Sequence, residues 1–120
     1  MSHQETAKKF LQICALESPK KAFEMFVNPN FIHHNQYFPG DRDSLMNAMM
    51  ESDKEMPNRQ FNMKHVFETG DKVAVHSQVI KDNMEIAVVH IMRFENGKIS
   101  EMWDVGQVLD KNSPNKNGMF

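Results

Sequence analysis

The stretch that decides the fold is Ile86-Ala87-Val88-Val89-His90-Ile91-Met92-Arg93-Phe94, then Glu95-Asn96-Gly97, then Lys98-Ile99-Ser100-Glu101-Met102-Trp103-Asp104-Val105-Gly106-Gln107-Val108. Asn96-Gly97 between two apolar-rich runs is a strong signal for a tight hairpin turn, because both central positions of such a turn need positive φ. A period of two then puts Ile86, Val88, His90, Met92 and Phe94 on one face of the first strand. It puts Ser100, Met102, Asp104 and Gly106 on one face of the second. A histidine and an aspartate thus occupy positions where a core would hold aliphatic side chains. Burying them without partners costs free energy, so the hairpin predicts a polar site set into an apolar surface.

Working outward, residues around His3 to Leu16 carry Ala7, Phe10, Leu11, Ile13 and Cys14 at the spacing of one helix face. Ser18-Pro19 reads as an N-cap followed by proline in the first turn, opening a short helix with Ala22, Phe23 and Phe26 inward. Asn28-Pro29 ends it, and Phe31 to Tyr37 suits a strand. Pro39-Gly40 turns the chain into a third helix, capped by Asp41 or Asp43 and carrying Leu45, Met46, Met49 and Met50, which Met56-Pro57 stops. Phe61, Met63, His65 and Phe67 then alternate with polar residues as a half-buried strand. Gly70-Asp71 and Asp82-Asn83 provide two further turns. The predicted order is helix, helix, strand, helix, then four strands in a meander: α+β, with three helices on the concave face of a curved antiparallel sheet. Residues 1–109 form one domain, and the polar segment 110–120 is expected to be a flexible tail.

The composition narrows the function. With 120 residues, 40% apolar and 25% charged, the chain supports one core and no second domain. A net charge of −2 and scattered basic residues argue against a nucleic-acid surface. No apolar run reaches membrane-spanning length and no signal-peptide pattern opens the chain, so neither a nucleic acid nor a membrane is an expected partner and a cytoplasmic location is the default. The single Cys14 has no disulfide partner within the chain and reads as a core thiol. Eleven methionines suit either a pliable pocket lining or ordinary core filling.

The element order, together with Phe31-Ile32-His33-His34-Asn35, the strand bearing His76, Met92-Arg93-Phe94, Asn96-Gly97-Lys98-Ile99 and Glu101-Met102-Trp103-Asp104-Val105-Gly106-Gln107, resembles the nuclear transport factor 2-like superfamily. Within it, the similarity is to the SnoaL-like polyketide cyclase and ketosteroid isomerase branch, over roughly Thr6 to Val108. The resemblance implies a cone-shaped fold with an apolar cavity and a homodimer through the outer sheet face. It also implies a general base at the end of the first strand, matched by His34, and an oxyanion-stabilising acid just before Met-Arg-Phe, matched by His90. Both positions depart from the isomerase carboxylates.

Read from the residues alone, His34, His76, His90 and Asp104 lie on different strands that alternation lets converge. The catalytic candidates are His34, His90 and Asp104, with Asp104 orienting an imidazole whose free nitrogen removes a proton beside a carbonyl. Asn35 or a second histidine would donate to the enolate oxygen. The candidate ligand-lining residues are Asn35, Met49, Phe61, His76, Met92 and Met102. Each has a plainer alternative: His34 and Asn35 satisfying local backbone, Asp104 paired with Arg93 or Lys98, and His76 facing solvent or a second subunit. Trp103 is expected on the opposite face, with Glu101 and Val105, as part of an interface. His3, His33 and His65 read as structural or surface residues. The leading expectation is a small enzyme acting by acid/base chemistry on an apolar carbonyl compound, needing no cofactor or metal. The alternatives are a binding protein for a hydrophobic small molecule and a dimeric protein-interaction module.

Overall fold

The computed structural model describes residues 1–120. Its elements are α1 (His3–Leu16), α2 (Pro19–Phe26), β1 (Val27–His33), α3 (Arg42–Glu55), β2 (Gln60–Thr69), β3 (Lys72–Ile80), β4 (Glu85–Glu95) and β5 (Lys98–Val108). The helix starts follow from local chemistry. The hydroxyls of Ser2 and Ser18 accept the backbone N–H of Glu5 and Lys21, and the Asp41 carboxylate accepts that of Ser44. Each satisfies an N–H that the first turn would leave unpaired. Asn96 and Gly97, at φ 52° and 79°, make the hairpin turn that their side chains allow.

The sheet order is β1-β5-β4-β3-β2. β2 to β5 form the expected antiparallel meander, but β1 runs parallel to β5, so the sheet is mixed rather than antiparallel throughout. The first strand also begins and ends earlier than the pattern suggests. Pro29 is tolerated inside it because β1 is an edge strand whose register with β5 slips between Val27 and Ile32, where a missing N–H removes no ladder bond. His34 and Asn35 therefore lie just past the strand, at the head of the loop to α3.

A second correction concerns β2. A bulge between Met63 and His65 inserts one residue, so Val66 instead of His65 turns toward the core, leaving His65 and Phe67 outside. With the irregularity at Arg93/Phe94 between β4 and β5, this bulge adds to the twist that curves the sheet.

α1 and α2 bury Phe10 and Phe23 completely, and Phe10, Phe23 and Phe31 meet edge to face at centroid distances of 5.4 and 5.9 Å. Val73, Val75, Met92, Phe94, Ile99 and Met102 supply the sheet side of this core. α3 is anchored differently. Only Leu45 is fully buried, and the helix contacts α2 and β1 rather than the middle of the sheet. Because β1 pairs with β5 only as far as Met102, the segment Asp104–Val108 has β4 on one side and no strand on the other. A space is left between α3 and the upper half of β4 and β5. No helix is long and apolar enough to cross a membrane.

Candidate active site

That space is a cavity of about 740 Å³. Its apolar walls come from Leu11, Cys14 and Ala15 of α1, Met49 of α3, and Phe61, Val79, Ile86, Val88 and Val108 of the sheet. Gly106, opposite Val88 near the end of β5, adds no side chain to this wall. Asp104, His90, Asn35 and His34 gather at one end, while Lys81, Asp53, Ser52 and Asn58 lie along the remainder of the wall.

His90 and Asp104 are direct cross-strand partners in the β4–β5 ladder, and alternation turns both inward. Asn35 comes to them from the loop after β1. Its amide Nδ2 donates to Asp104 Oδ2 at 3.0 Å, and its Oδ1 accepts the N–H of Tyr37 at 3.0 Å. Beneath it His33 is buried, accepting the Asn35 N–H at Nδ1 (3.1 Å) and therefore donating from Nε2 to the Pro39 carbonyl (2.6 Å). The structural reading of His33 holds, and its structural role is to brace the loop that presents Asn35.

Two polar atoms at this end have no partner in the protein and no contact with solvent: Asp104 Oδ1 and His90 Nδ1. No hydrogen bond joins them, and the alternative pairing of Asp104 with Arg93 or Lys98 is not made either, since Arg93 is engaged by Glu95 and Glu101. Burial pushes the His90 imidazole below its ordinary range, with the negative charge of Asp104 opposing part of that effect. His90 is thus held neutral at physiological pH, beside a carboxylate that is anchored through one oxygen and unpartnered at the other. Buried polar groups are nearly always satisfied, so an adjacent unpartnered pair on two residues that line a cavity marks a place for a polar ligand group.

The remaining candidates divide. Met49 and Phe61 line the cavity as expected. Met92 and Met102 do not: at 0% and 1% exposure they are cross-strand partners two residues further along, in the packed layer adjoining the His90–Asp104 pair. His76 is outside the site altogether. Val73, Val75 and Ser77 face inward on β3, which sends His76 to the outer face, where its Nδ1 lies 2.9 Å from Nδ1 of His65 and the ring of Phe120 covers it. Trp103 is on the outer side with Glu101 and Val105, as alternation requires.

His34 sits at the rim instead of beside His90. Its ring lies flat on Trp103, centroids 4.8 Å apart with 4° between planes, and its Nε2 is 2.6 Å from Glu101 Oε2. Glu101 was not singled out by sequence reasoning. The one available signal was its position opposite Arg93 in the hairpin register, which pointed to an ion pair but not to His34. Cys14 lines the wall with its Sγ 3.8 Å from Met49 Sδ, and burial, reinforced by the charge of Asp53, pushes its thiol up to about 12. It is no nucleophile.

Comparison with known proteins agrees with this architecture. Residues 5–111 match the family model described as SnoaL-like polyketide cyclase. No curated protein matches the sequence. Among solved structures, the chain is similar to IdmH from Streptomyces antibioticus, assigned as a polyketide cyclase, at 14% identity and TM-score 0.74, covering 89% of this chain and 93% of that one. It is similar to an NTF2-like protein of unknown function from Cytophaga hutchinsonii, at 17% identity and TM-score 0.72, covering 89% and 91%. It is also similar to AclR from Streptomyces galilaeus, assigned as a hydroxylase, at 20% identity and TM-score 0.70, covering 88% and 81%. At these identities the likeness establishes the NTF2-like fold and leaves the chemistry to the site.

Proposed function

The chain belongs to the SnoaL-like polyketide cyclase family, and from that premise we propose that it is a small enzyme working by general acid/base catalysis on an apolar carbonyl compound held in the cavity, with no cofactor in the chemical step. Isomerisation, aldol cyclisation and dehydration all fit, since each begins or ends with proton transfer beside a carbonyl. The observation that carries the reading is the pair of buried, unpartnered atoms, Asp104 Oδ1 and His90 Nδ1, on two residues that line the cavity.

The geometry favours a different division of labour from that expected of the sequence. Asp104 does not orient a histidine: one oxygen is taken by Asn35, and the other makes no hydrogen bond to His90. A carboxylate can only accept, so Asp104 Oδ1 is the group that takes the proton from the substrate carbon. A neutral His90 carrying hydrogen on Nδ1 donates to the oxygen on which charge develops. Asn35 is the positioning residue for Asp104. The apolar part of the wall lowers the local dielectric, which strengthens both interactions.

Nuclear magnetic resonance titration of the imidazoles, comparing wild type with Asp104→Asn, tests the pair. His90 should titrate below the ordinary imidazole value of about 6.5, and lower still in the variant, because the charge that raises it is gone. If His90 titrates like an exposed histidine and ignores the substitution, the catalytic pair is refuted. The cavity would then support the second reading, a binding protein for a hydrophobic small molecule.

A homodimer through the outer sheet face is part of the same proposal. It is supported by Val105 and Phe67, 69% and 67% exposed, on the face that also carries Val89, Ile91 and Trp103. Sedimentation of wild type against Val105→Lys reads it, a monomer in both cases removing the dimer from the account.

A further inference from the structure

We propose that Glu101 is the positioning residue of His34, and that the two form a second proton-accepting group at the cavity mouth, separate from His90 and Asp104. The inference rests on reading the cavity as a ligand site, and it assigns to that site a ligand carrying a hydrogen-bond donor, such as a hydroxyl, at the end that remains near the mouth.

His34 is held from two directions. The indole of Trp103 fixes the plane of its ring, and Glu101 fixes its rotation by accepting from Nε2 at 2.6 Å. Glu101 is itself held: its other oxygen accepts from Arg93 Nε at 2.9 Å, and Arg93 is tied in turn to Glu95 by Nη1 at 2.7 Å. Hydrogen bonds from His34 and then Arg93 keep the Glu101 carboxyl below the usual carboxylate range, so it stays charged at neutral pH. With Nε2 committed as the donor, the neutral imidazole must carry its lone pair on Nδ1, which has no partner within the protein. His34 is one of the residues that line the cavity, which brings this acceptor to its rim in the arrangement proposed here.

Fold stability does not account for this arrangement. The imidazole is 44% exposed, and ion pairs at such sites contribute little. Four side chains from two strands, Trp103, Glu101, Arg93 and Glu95, nevertheless converge to set one tautomer of one exposed ring. In the step assigned here the ligand's O–H bond breaks, its electron pair stays on oxygen, and the proton forms the Nδ1–H bond. The imidazolium so made faces an ionised Glu101, which balances its charge.

The first measurement is the imidazole nitrogen and proton spectrum at pH 8 of wild type and Glu101→Leu. Wild type should show His34 as the Nε2–H tautomer, with a low-field proton reporting the short bond to the carboxylate. In the variant that resonance should disappear while the His90 signals stay in place. A wild-type His34 protonated on Nδ1, or a low-field proton that survives in Glu101→Leu, overturns the proposal even if the variant folds poorly, because the wild-type spectrum alone decides the tautomer. The second measurement uses 2-naphthol and 2-methoxynaphthalene as probes. The preference of wild type for the naphthol over the ether should fall about threefold to tenfold in Glu101→Leu, the range of one hydrogen bond. No preference in wild type, or an unchanged one in the variant, removes the mouth acceptor. Failure here leaves the His90–Asp104 titration unaffected, so the two readings fall separately.

Discussion

Replacing His90 with leucine should make the protein more stable while removing the hydrogen-bond donor that the proposed reaction assigns to it. The sign follows from what His90 touches. Were its buried nitrogen bonded to Asp104, removing it would strand a charge and destabilise the fold by several kcal/mol. It has no such bond: Nδ1 is enclosed and unpartnered, and Asp104 Oδ2 takes its hydrogen bond from Asn35 whether or not His90 is present. A buried group in that state costs about 1–3 kcal/mol. Leucine, of similar volume and flanked on the same face by Val88 and Met92, escapes that cost and adds apolar burial. For a chain of 120 residues, about 1 kcal/mol corresponds to roughly 4 °C in Tm, so the expected rise at pH 8 is about 4–12 °C. The gain should also depend on pH. The folded pKa of His90 lies below its unfolded value, so between the two the unfolded chain binds the extra proton. Wild type therefore loses stability as pH falls below about 6.5, until the folded form also titrates, and the leucine variant is spared that loss. Urea unfolding at pH 8 and pH 5 reads both effects. A variant less stable than wild type by more than about 1 kcal/mol, or an advantage that does not grow at pH 5, would refute the account of an unpartnered, neutral imidazole.

Two further expectations concern the frame around the site. Cys14, with its thiol pushed up to about 12 by burial and then by Asp53, should resist labelling by a thiol reagent at pH 8 until the protein unfolds, so the labelling rate should track unfolding across a urea series; prompt modification of the native state would show that the cavity wall opens there. Gly97→Ala should destabilise by about 1 kcal/mol, because φ of 79° suits glycine and strains an L side chain, and a change below about 0.3 kcal/mol in denaturant unfolding would show that the hairpin turn relaxes at no cost.

Much of this fold was legible because its signals are local. Ser18-Pro19 caps a helix and Asn96-Gly97 turns a hairpin through interactions within a few residues, and the alternation along Ile86–Phe94 follows from strand geometry alone. The hairpin register also makes His90 and Asp104 neighbours once the turn is placed. What failed were the readings that depend on distant partners. Parallel pairing of β1 with β5 joins segments about 70 residues apart, and no local pattern records it. One extra residue in β2 reversed the faces of His65 and Val66, because a period of two has no tolerance for an insertion.

The site divides along the same line. Sequence determined that a histidine and an aspartate would share the inner face of a hairpin with aliphatic residues, since alternation and turn chemistry leave no other face for them. Only the tertiary structure decided their state. Asn35, 69 residues from Asp104, takes one of its oxygens, and Glu101, 67 residues from His34, draws that imidazole to the rim. α3 rests on α2 and β1 and leaves a space above the pair. Hydrogen-bond satisfaction and empty volume are properties of groups brought together from far along the chain, so whether a polar residue is a catalyst, a brace or a core filler is settled only once the whole chain has packed.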